Sequence, residues 1–403
     1  MINLEIPRKF RPLVSQANQV AAEVFRPISR KYDVAEHEYP KELDMLASLI
    51  DGMNEGSDIG GAGAAGVRRE DGDGDGKNRN GSNLSTVLGI IELCWGDVGL
   101  LLSMPRQGLG NSAIASVATE EQLELYGGRW AAMAITEPEA GSDSASIRTT
   151  AELDGDEYVL NGEKIYVTSG ERADLVVVWA TLDRSKGRAA IKSFIVERSN
   201  PGMKLDRLEH KLGIRASDTA AFILDDCRVP KEALLGSPAV DVKQGFGGAM
   251  QTFDNTRPLV AAMAVGVARA SLDETRARLA QAGVEVDYSK PALGQHAAAA
   301  RFLEMEADYE ASRLLTLQAA WMADNGKPNS LQASMAKAKA GRTCVDVSLG
   351  CVELCGSVGY TENELLEKWA RDAKILDIFE GTQQIQLLIV ARQLLGKSSA
   401  DLK

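Results

Sequence analysis

Among the residues whose type and setting could do chemistry, Glu380 in Phe379-Glu380-Gly381-Thr382-Gln383 comes first. A carboxylate moved out of water has a raised pKa, which suits a general base working near neutrality. The competing reading is an ordinary acidic residue at the entry of the helix that follows. Tyr166 and Thr168 stand two apart in a strand-forming run, so an aromatic plane and a hydroxyl can address one flat ligand from the same strand face. A half-buried strand tyrosine would look the same. Gly141 and Ser142 offer small side chains and accessible N–H groups where a phosphate or ring edge can approach the backbone. Alone, that pair reads as a turn after Pro138.

Three other matches point elsewhere and fail on context. Gly61-Ala62-Gly63-Ala64-Ala65-Gly66 fits a dinucleotide fingerprint, yet no strand precedes it and no helix opens after it. Asp71-Gly72-Asp73-Gly74-Asp75-Gly76 imitates the start of a calcium loop, but the twelfth position is Ser82 instead of a bidentate Glu. Cys351 and Cys355 lie four apart without a nearby histidine, which favours buried thiols over a metal site. No metal is expected.

The elements that must position these residues follow from periodicity and composition. The chain has 403 residues and a net charge of −12, with 45 Lys+Arg against 57 Asp+Glu. That acidity excludes a general nucleic-acid binder, which needs a surplus of cations. No apolar run approaches the length of a membrane span, and the charged, proline-containing start is unlike a secretion signal. Five cysteines, few and odd in number, fit a reducing compartment. A cytoplasmic location is expected.

Apolar spacing predicts helices over 13–29, 42–50 and 85–102, interrupted by a Gly/Asp-rich segment, 52–81, that reads as a flexible loop. From 131 to 241 short β-branched runs predict a β domain, a barrel or sandwich, with a hairpin at Asn161-Gly162. Beyond it, Ala-rich stretches over 259–282, 294–324, 331–350 and 383–395 predict a helix bundle. The expected fold class is α+β multidomain: an N-terminal helical domain (1–130), a central β-barrel or sandwich domain (131–241) and a C-terminal four-helix bundle (242–403).

Five segments inside this order carry a resemblance. They are Ala134-Ile135-Thr136-Glu137-Pro138-Glu139-Ala140-Gly141-Ser142-Asp143, Asn161 through Gly170, Lys211-Leu212-Gly213-Ile214-Arg215-Ala216-Ser217-Asp218-Thr219, Phe253-Asp254-Asn255-Thr256-Arg257-Pro258, and Arg371-Asp372-Ala373-Lys374-Ile375 with Phe379 through Gln386. From about residue 119 to the end, the chain resembles the acyl-CoA dehydrogenase family. The resemblance implies FAD held between the domains and shared across a subunit interface. It implies Met133, Ile135, Thr136, Gly141, Ser142, Tyr166 and Thr168 along the flavin, with Thr382 and Gln384 as further FAD contacts. Asp254, Arg257 and Ser142 are implied on the substrate side, Arg257 as a cation near the CoA path. Glu380 corresponds to the base that takes the α-proton of the thioester, and its N–H to a donor for the thioester carbonyl. Some branches of the family put the base on the helix starting near Phe253; here that position is Thr256.

The sequence also departs from the family. Tyr166 stands where Trp is usual. Lys290 replaces an arginine that clamps the FAD pyrophosphate of a neighbouring subunit, keeping the charge but not the bidentate fork. Glu353, with Gly356 followed by Ser357, replaces a Gln and Gly-Gly pattern at the same half-site. The expected assembly is a homotetramer or a heterotetramer, and these changes point to a related, non-identical subunit that shares FAD unequally. The implied activity is dehydrogenation of an acyl-CoA to a trans-2-enoyl-CoA with electrons passed to an electron-transfer flavoprotein. An oxidase of the same fold using O₂, and a non-catalytic or partly catalytic subunit, are the alternatives.

Overall fold

The computed structural model describes residues 5–54, 80–105, 109–240, 247–398 and 401, with side chains omitted over 49–54 and 247–255. Both Gly-rich motif matches, at 61–66 and 71–76, lie outside the described residues, as does most of the expected loop. That loop starts later than expected, since the helix before it continues to Asn54.

In the N-terminal part, α1 (Arg11–Val20) passes through a π-helical turn (Ala21–Phe25) into α2 (Arg26–Val34), followed by α3 (Glu42–Asn54). The single helix expected over 85–102 is two, α4 (Ser82–Gly96) and α5 (Val98–Leu102). Asp97 separates them with an extended backbone (φ −166°) and starts α5 by accepting the Leu100 N–H at 2.8 Å. This is an N-cap stop-and-restart that apolar periodicity alone does not reveal. Two short helices follow, α6 (Leu109–Val117) and α7 (Glu120–Tyr126), the second opened by a capping box between Thr119 and Gln122.

Seven strands form one curled sheet: β1 (Ala131–Ala134), β2 (Thr150–Asp154), β3 (Glu157–Thr168), β4 (Leu175–Thr181), β5 (Ile191–Glu197), β6 (Met203–Leu208) and β7 (Thr219–Pro230). The order is β1-β4-β2-β3-β7-β6, with β5 also paired to β4. β4 is buried along its whole length, which is why it reads as an uninterrupted apolar run instead of an alternating one. The expected hairpin at Asn161-Gly162 is not there. β3 runs straight through both residues, and the turn is Gly155-Asp156, between the paired Asp154 and Glu157. Gly162 is needed for a different reason, because a Cβ at that position would fall 2.4 Å from Thr149 Oγ1. The local Asn-Gly signal is overridden by a close approach between neighbouring segments.

The C-terminal part holds α8 (Gly247–Gln281), α9 (Ala297–Asp324), α10 (Ser330–Tyr360), α11 (Leu366–Leu376) and α12 (Gln383–Leu395). The break expected at 325–328 separates α9 from α10. The N-terminal helices and the bundle share one core, in which Phe25, Leu43, Leu100, Phe302 and Trp369 are buried together. Each such side chain contributes about 1.5–3 kcal/mol of burial. Helices α6 and α7 pack instead with the sheet, through Ile114, Leu123 and Tyr126. All five cysteines are free thiols, four buried and Cys355 half-buried. No helix among the described residues is long and apolar enough to cross a membrane.

One loop joins the two cores. Ile214 and Ala216, between β6 and β7, are buried in the helical core. Ile214 has φ 48°, and its N–H donates to Asp372 Oδ1 at 2.5 Å. The neighbouring Arg371 donates to the Leu212 carbonyl at 2.9 Å and pairs with Asp33 at 2.6 Å. The segments Lys211 through Thr219 and Arg371-Asp372, 158 residues apart, therefore meet as a lock between bundle and sheet.

Candidate active site

Thr136 leaves the end of β1 and hydrogen-bonds through its carbonyl to the Ile165 N–H at 2.9 Å, setting the 133–136 segment beside β3. The next residue anchors the turn. Glu137 is buried and accepts from Thr149 Oγ1 at 2.6 Å and from Lys164 Nζ at 2.7 Å; Lys164 also reaches the Ile135 carbonyl at 3.2 Å. Burial pushes the Lys164 ammonium down to about 8 against the pull of Glu137. Burial likewise works to raise Glu137, but Lys164 and the hydrogen bonds hold it below the usual carboxylate range. This buried pair makes the turn at Pro138 rigid where Gly141 and Ser142 emerge.

On the adjacent strand, β3 is bulged between Lys164 and Val167, and Tyr166 takes a left-handed φ of 58°. The bulge turns Tyr166 outward, so that the residue is 62% exposed, while Val167 is buried and Thr168 half-buried. Met133 and Thr136 are half-buried and Ile135 is buried. A Cβ on Gly141 would meet nothing of this chain within 4 Å. An exposed aromatic ring, two half-buried hydroxyls and an open glycine turn are donors and surfaces that fit a flat, phosphorylated cofactor such as FAD.

Glu380 sits between α11 and α12, and the structure explains how it is held. Its φ is 56° and that of Gly381 is 90°. The first is rare for a residue with a side chain and marks a strained, functionally suggestive position. A Cβ on Gly381 would fall 2.3 Å from Gln386 Nε2 and displace it, and the φ of 90° itself strains any residue but glycine. Gln386, fully buried, donates to the Glu380 carbonyl at 3.0 Å, and Lys337 donates to the Gly381 carbonyl at 2.7 Å. Thr382 caps α12, its hydroxyl accepting the Ile385 N–H at 3.3 Å, and Gln384 is exposed beside it. The Glu380 N–H donates to none of the described residues.

The carboxylate accepts from Thr256 Oγ1 at 2.9 Å. The two alternative base positions of the resemblance thus converge on one site. Burial raises the Glu380 pKa, opposed by the Thr256 hydroxyl and by Lys337 and Arg257. Arg257 is buried, with Nη1 3.5 Å from Ser334 Oγ. The Asp254 side chain lies outside those described. Lys337 had no signal in the sequence: a lysine in an Ala-rich helix reads as a solvated residue, and only the packing of α10 against the 380–381 bend buries it. Burial pushes it down to about 8. It is a cation below that pH and neutral above it.

This arrangement has a testable pH signature. Lys337→Met removes a charge that favours ionised Glu380, so the pKa of Glu380 rises further. Any step that needs the carboxylate then has its acid limb moved to higher pH. A pH–rate profile of wild type and variant checks the shift, and an unmoved limb would show that Lys337 only supports the backbone.

The remaining expected cofactor residues are exposed in the single chain. Lys290, in the α8–α9 connection, is exposed and paired with Asp287 at 2.9 Å. Glu353 and Gly356 are exposed on α10, with Gly356 at a kink of φ 56°.

Comparison with known proteins shows the family. Residues 132–227 match the family model "Acyl-CoA dehydrogenase, middle domain", and residues 243–395 match "Acyl-CoA dehydrogenase, C-terminal domain". The chain belongs to the acyl-CoA dehydrogenase family. Similar relatives of this acyl-CoA dehydrogenase include the short-chain specific acyl-CoA dehydrogenase of Clostridium acetobutylicum, 36% identical over 77% of this chain and 82% of that one. The caffeyl-CoA reductase-Etf complex subunit CarC of Acetobacterium woodii is 35% identical over 79% of this chain and 84% of the relative. The structure of butyryl-CoA dehydrogenase from Megasphaera elsdenii superposes with a TM-score of 0.81 at 30% identity, covering 98% of this chain and all of that chain.

Proposed function

We propose that the protein binds FAD and dehydrogenates a short acyl-CoA thioester to its trans-2-enoyl-CoA, with Glu380 as the base. The observation that carries this reading is the Glu380 carboxylate: burial raises its pKa, Thr256 fixes it, and Lys337 and Arg257 supply positive charge nearby. Bound FAD would supply the acceptor for the hydride leaving the β-carbon. Glu380 takes the α-proton, and the electron pair of that C–H bond becomes the new double bond. The unpartnered Glu380 N–H is oriented by a bend that Gln386 and Lys337 hold in place, and it donates to the thioester carbonyl as the α-carbon gains negative character. Met133, Ile135, Thr136, Tyr166 and Thr168 line the flavin, and Gly141 and Ser142 let its polar part approach. Thr382 and Gln384 contact it at the start of α12. Arg257, Asp254 and Ser142 serve the CoA side.

The short acyl group is supported by the names of the short-chain and butyryl-CoA relatives. The Etf complex named for the A. woodii subunit supports an electron-transfer flavoprotein as electron acceptor. The exposure of Lys290, Glu353 and Gly356 supports a second subunit, in a homotetramer or a heterotetramer, against which they complete a cofactor half-site. Turnover of butyryl-CoA with electron-transfer flavoprotein or with O₂ as sole acceptor tests the assignment. Reduction of the flavoprotein without hydrogen peroxide is expected; stoichiometric peroxide would make the protein an oxidase.

A further inference from the structure

Two of the chain's three histidines meet a glutamate far from Glu380. Glu36 and His37 lie in the turn after α2, and His210 follows β6, 174 positions from Glu36. One ligand atom from each of the three lies within 4.8 Å of the others. The two imidazole rings are edge-to-face, with centroids 4.9 Å apart.

Four features separate this group from a chance surface cluster. Glu36 is oriented from behind: Oε1 accepts the Lys211 N–H at 2.8 Å, which aims Oε2 at His210 Nδ1, 2.9 Å away. His37 is held at φ 74°, a left-handed conformation that a histidine adopts at a cost. Both ring nitrogens of His37 are buried and have no hydrogen-bond partner among the described residues. A neutral imidazole buried in that way ordinarily finds a partner. The charge nearest to opposing a cation, the Lys211 ammonium, is turned to the Ser217 carbonyl at 2.7 Å.

We infer that Glu36, His37 and His210 form a binding site for a divalent transition-metal ion of the zinc type. Two imidazoles and one carboxylate are a nitrogen–oxygen donor set suited to such an ion, and the outer hydrogen bond to Glu36 is the kind of support that orients a ligand. His210, with its side chain 82% exposed, leaves a path for the ion and an open position for water. The bound ion would fasten the α2–α3 turn to the β6–β7 loop, beside the lock made by Asp372 and Ile214. The expectation of no metal rests on cysteine spacing, which says nothing of these ligands, drawn from two distant segments.

The test uses the full, untagged, flavin-loaded chain, with Co²⁺ as the visible probe and Zn²⁺ as competitor. Wild type should bind one Co²⁺ per chain with visible ligand-field absorption, lose it to Zn²⁺, and gain thermal stability in Zn²⁺. His210→Ala, a change at an exposed residue, should weaken binding by more than roughly tenfold and abolish the thermal gain. His37→Ala should do the same. His296→Ala, at the start of α9, should bind as wild type does. Failure of wild type to take up either ion, or equal uptake by His210→Ala, would overturn the site.

Discussion

Glu380→Gln is expected to lower turnover of the best acyl-CoA by about 10²–10⁴-fold, the range a positioned general base supplies. Glutamine keeps the shape and still accepts from Thr256, so substrate affinity and bound flavin should change little. The loss belongs to kcat, because the variant lacks a group that can take the α-proton. The wild-type rate should rise with pH through the raised pKa of Glu380, since only the ionised carboxylate acts. The variant should lack that rise. Turnover and flavin content measured on the same preparation check both points. A variant keeping most of the activity would move the base elsewhere in the site.

The second large effect concerns stability. Lys368 is buried with two carboxylates, its ammonium 2.7 Å from Asp97 and 2.6 Å from Asp372. Asp97 also accepts from the Ser29 hydroxyl and starts α5, while Asp372 holds the Ile214 N–H. One cation thus ties four elements together. Lys368→Met leaves two buried carboxylates facing each other and should destabilise the protein by about 3–5 kcal/mol, as breaking a buried pair does. The sign with pH follows from Asp372, whose pKa burial already raises. Without Lys368 it rises further, so the folded variant binds protons that the unfolded chain releases. Its stability should be best in acid and fall as pH rises through that pKa. Denaturant midpoints of wild type and variant at several pH values measure this. A deficit that shrinks toward higher pH would refute the network as described.

Much of the architecture was legible because its signals are local. Apolar spacing marks the long bundle helices, and the Asn325–Pro328 break separates two of them. The Asn161-Gly162 hairpin failed because the glycine answers to Thr149, a neighbour that local sequence does not reveal. Helix α4 ends at Asp97 for a similar reason: its carboxylate is committed to both a cap and Lys368. At the site, Glu380 and Thr256 stand in recognisable motifs, although only the folded chain brings them to 2.9 Å. Lys337, which shapes the bend around Glu380, sits in ordinary helical sequence, and Gln386, although at the end of the Phe379–Gln386 motif, has no visible role there. Their roles depend on burial against backbone carbonyls, a tertiary fact. The tyrosine at 166 was visible as a substitution, but not the bulge that turns it outward.

The most direct test mixes the flavin-loaded protein with butyryl-CoA under anaerobic conditions and follows the oxidised flavin absorbance, in wild type and in Glu380→Gln. The account predicts rapid bleaching in wild type with enoyl-CoA formed, and bleaching slowed by about 10²–10⁴-fold in the variant. Equal bleaching rates, or a protein that never holds flavin with or without a related subunit, would contradict it.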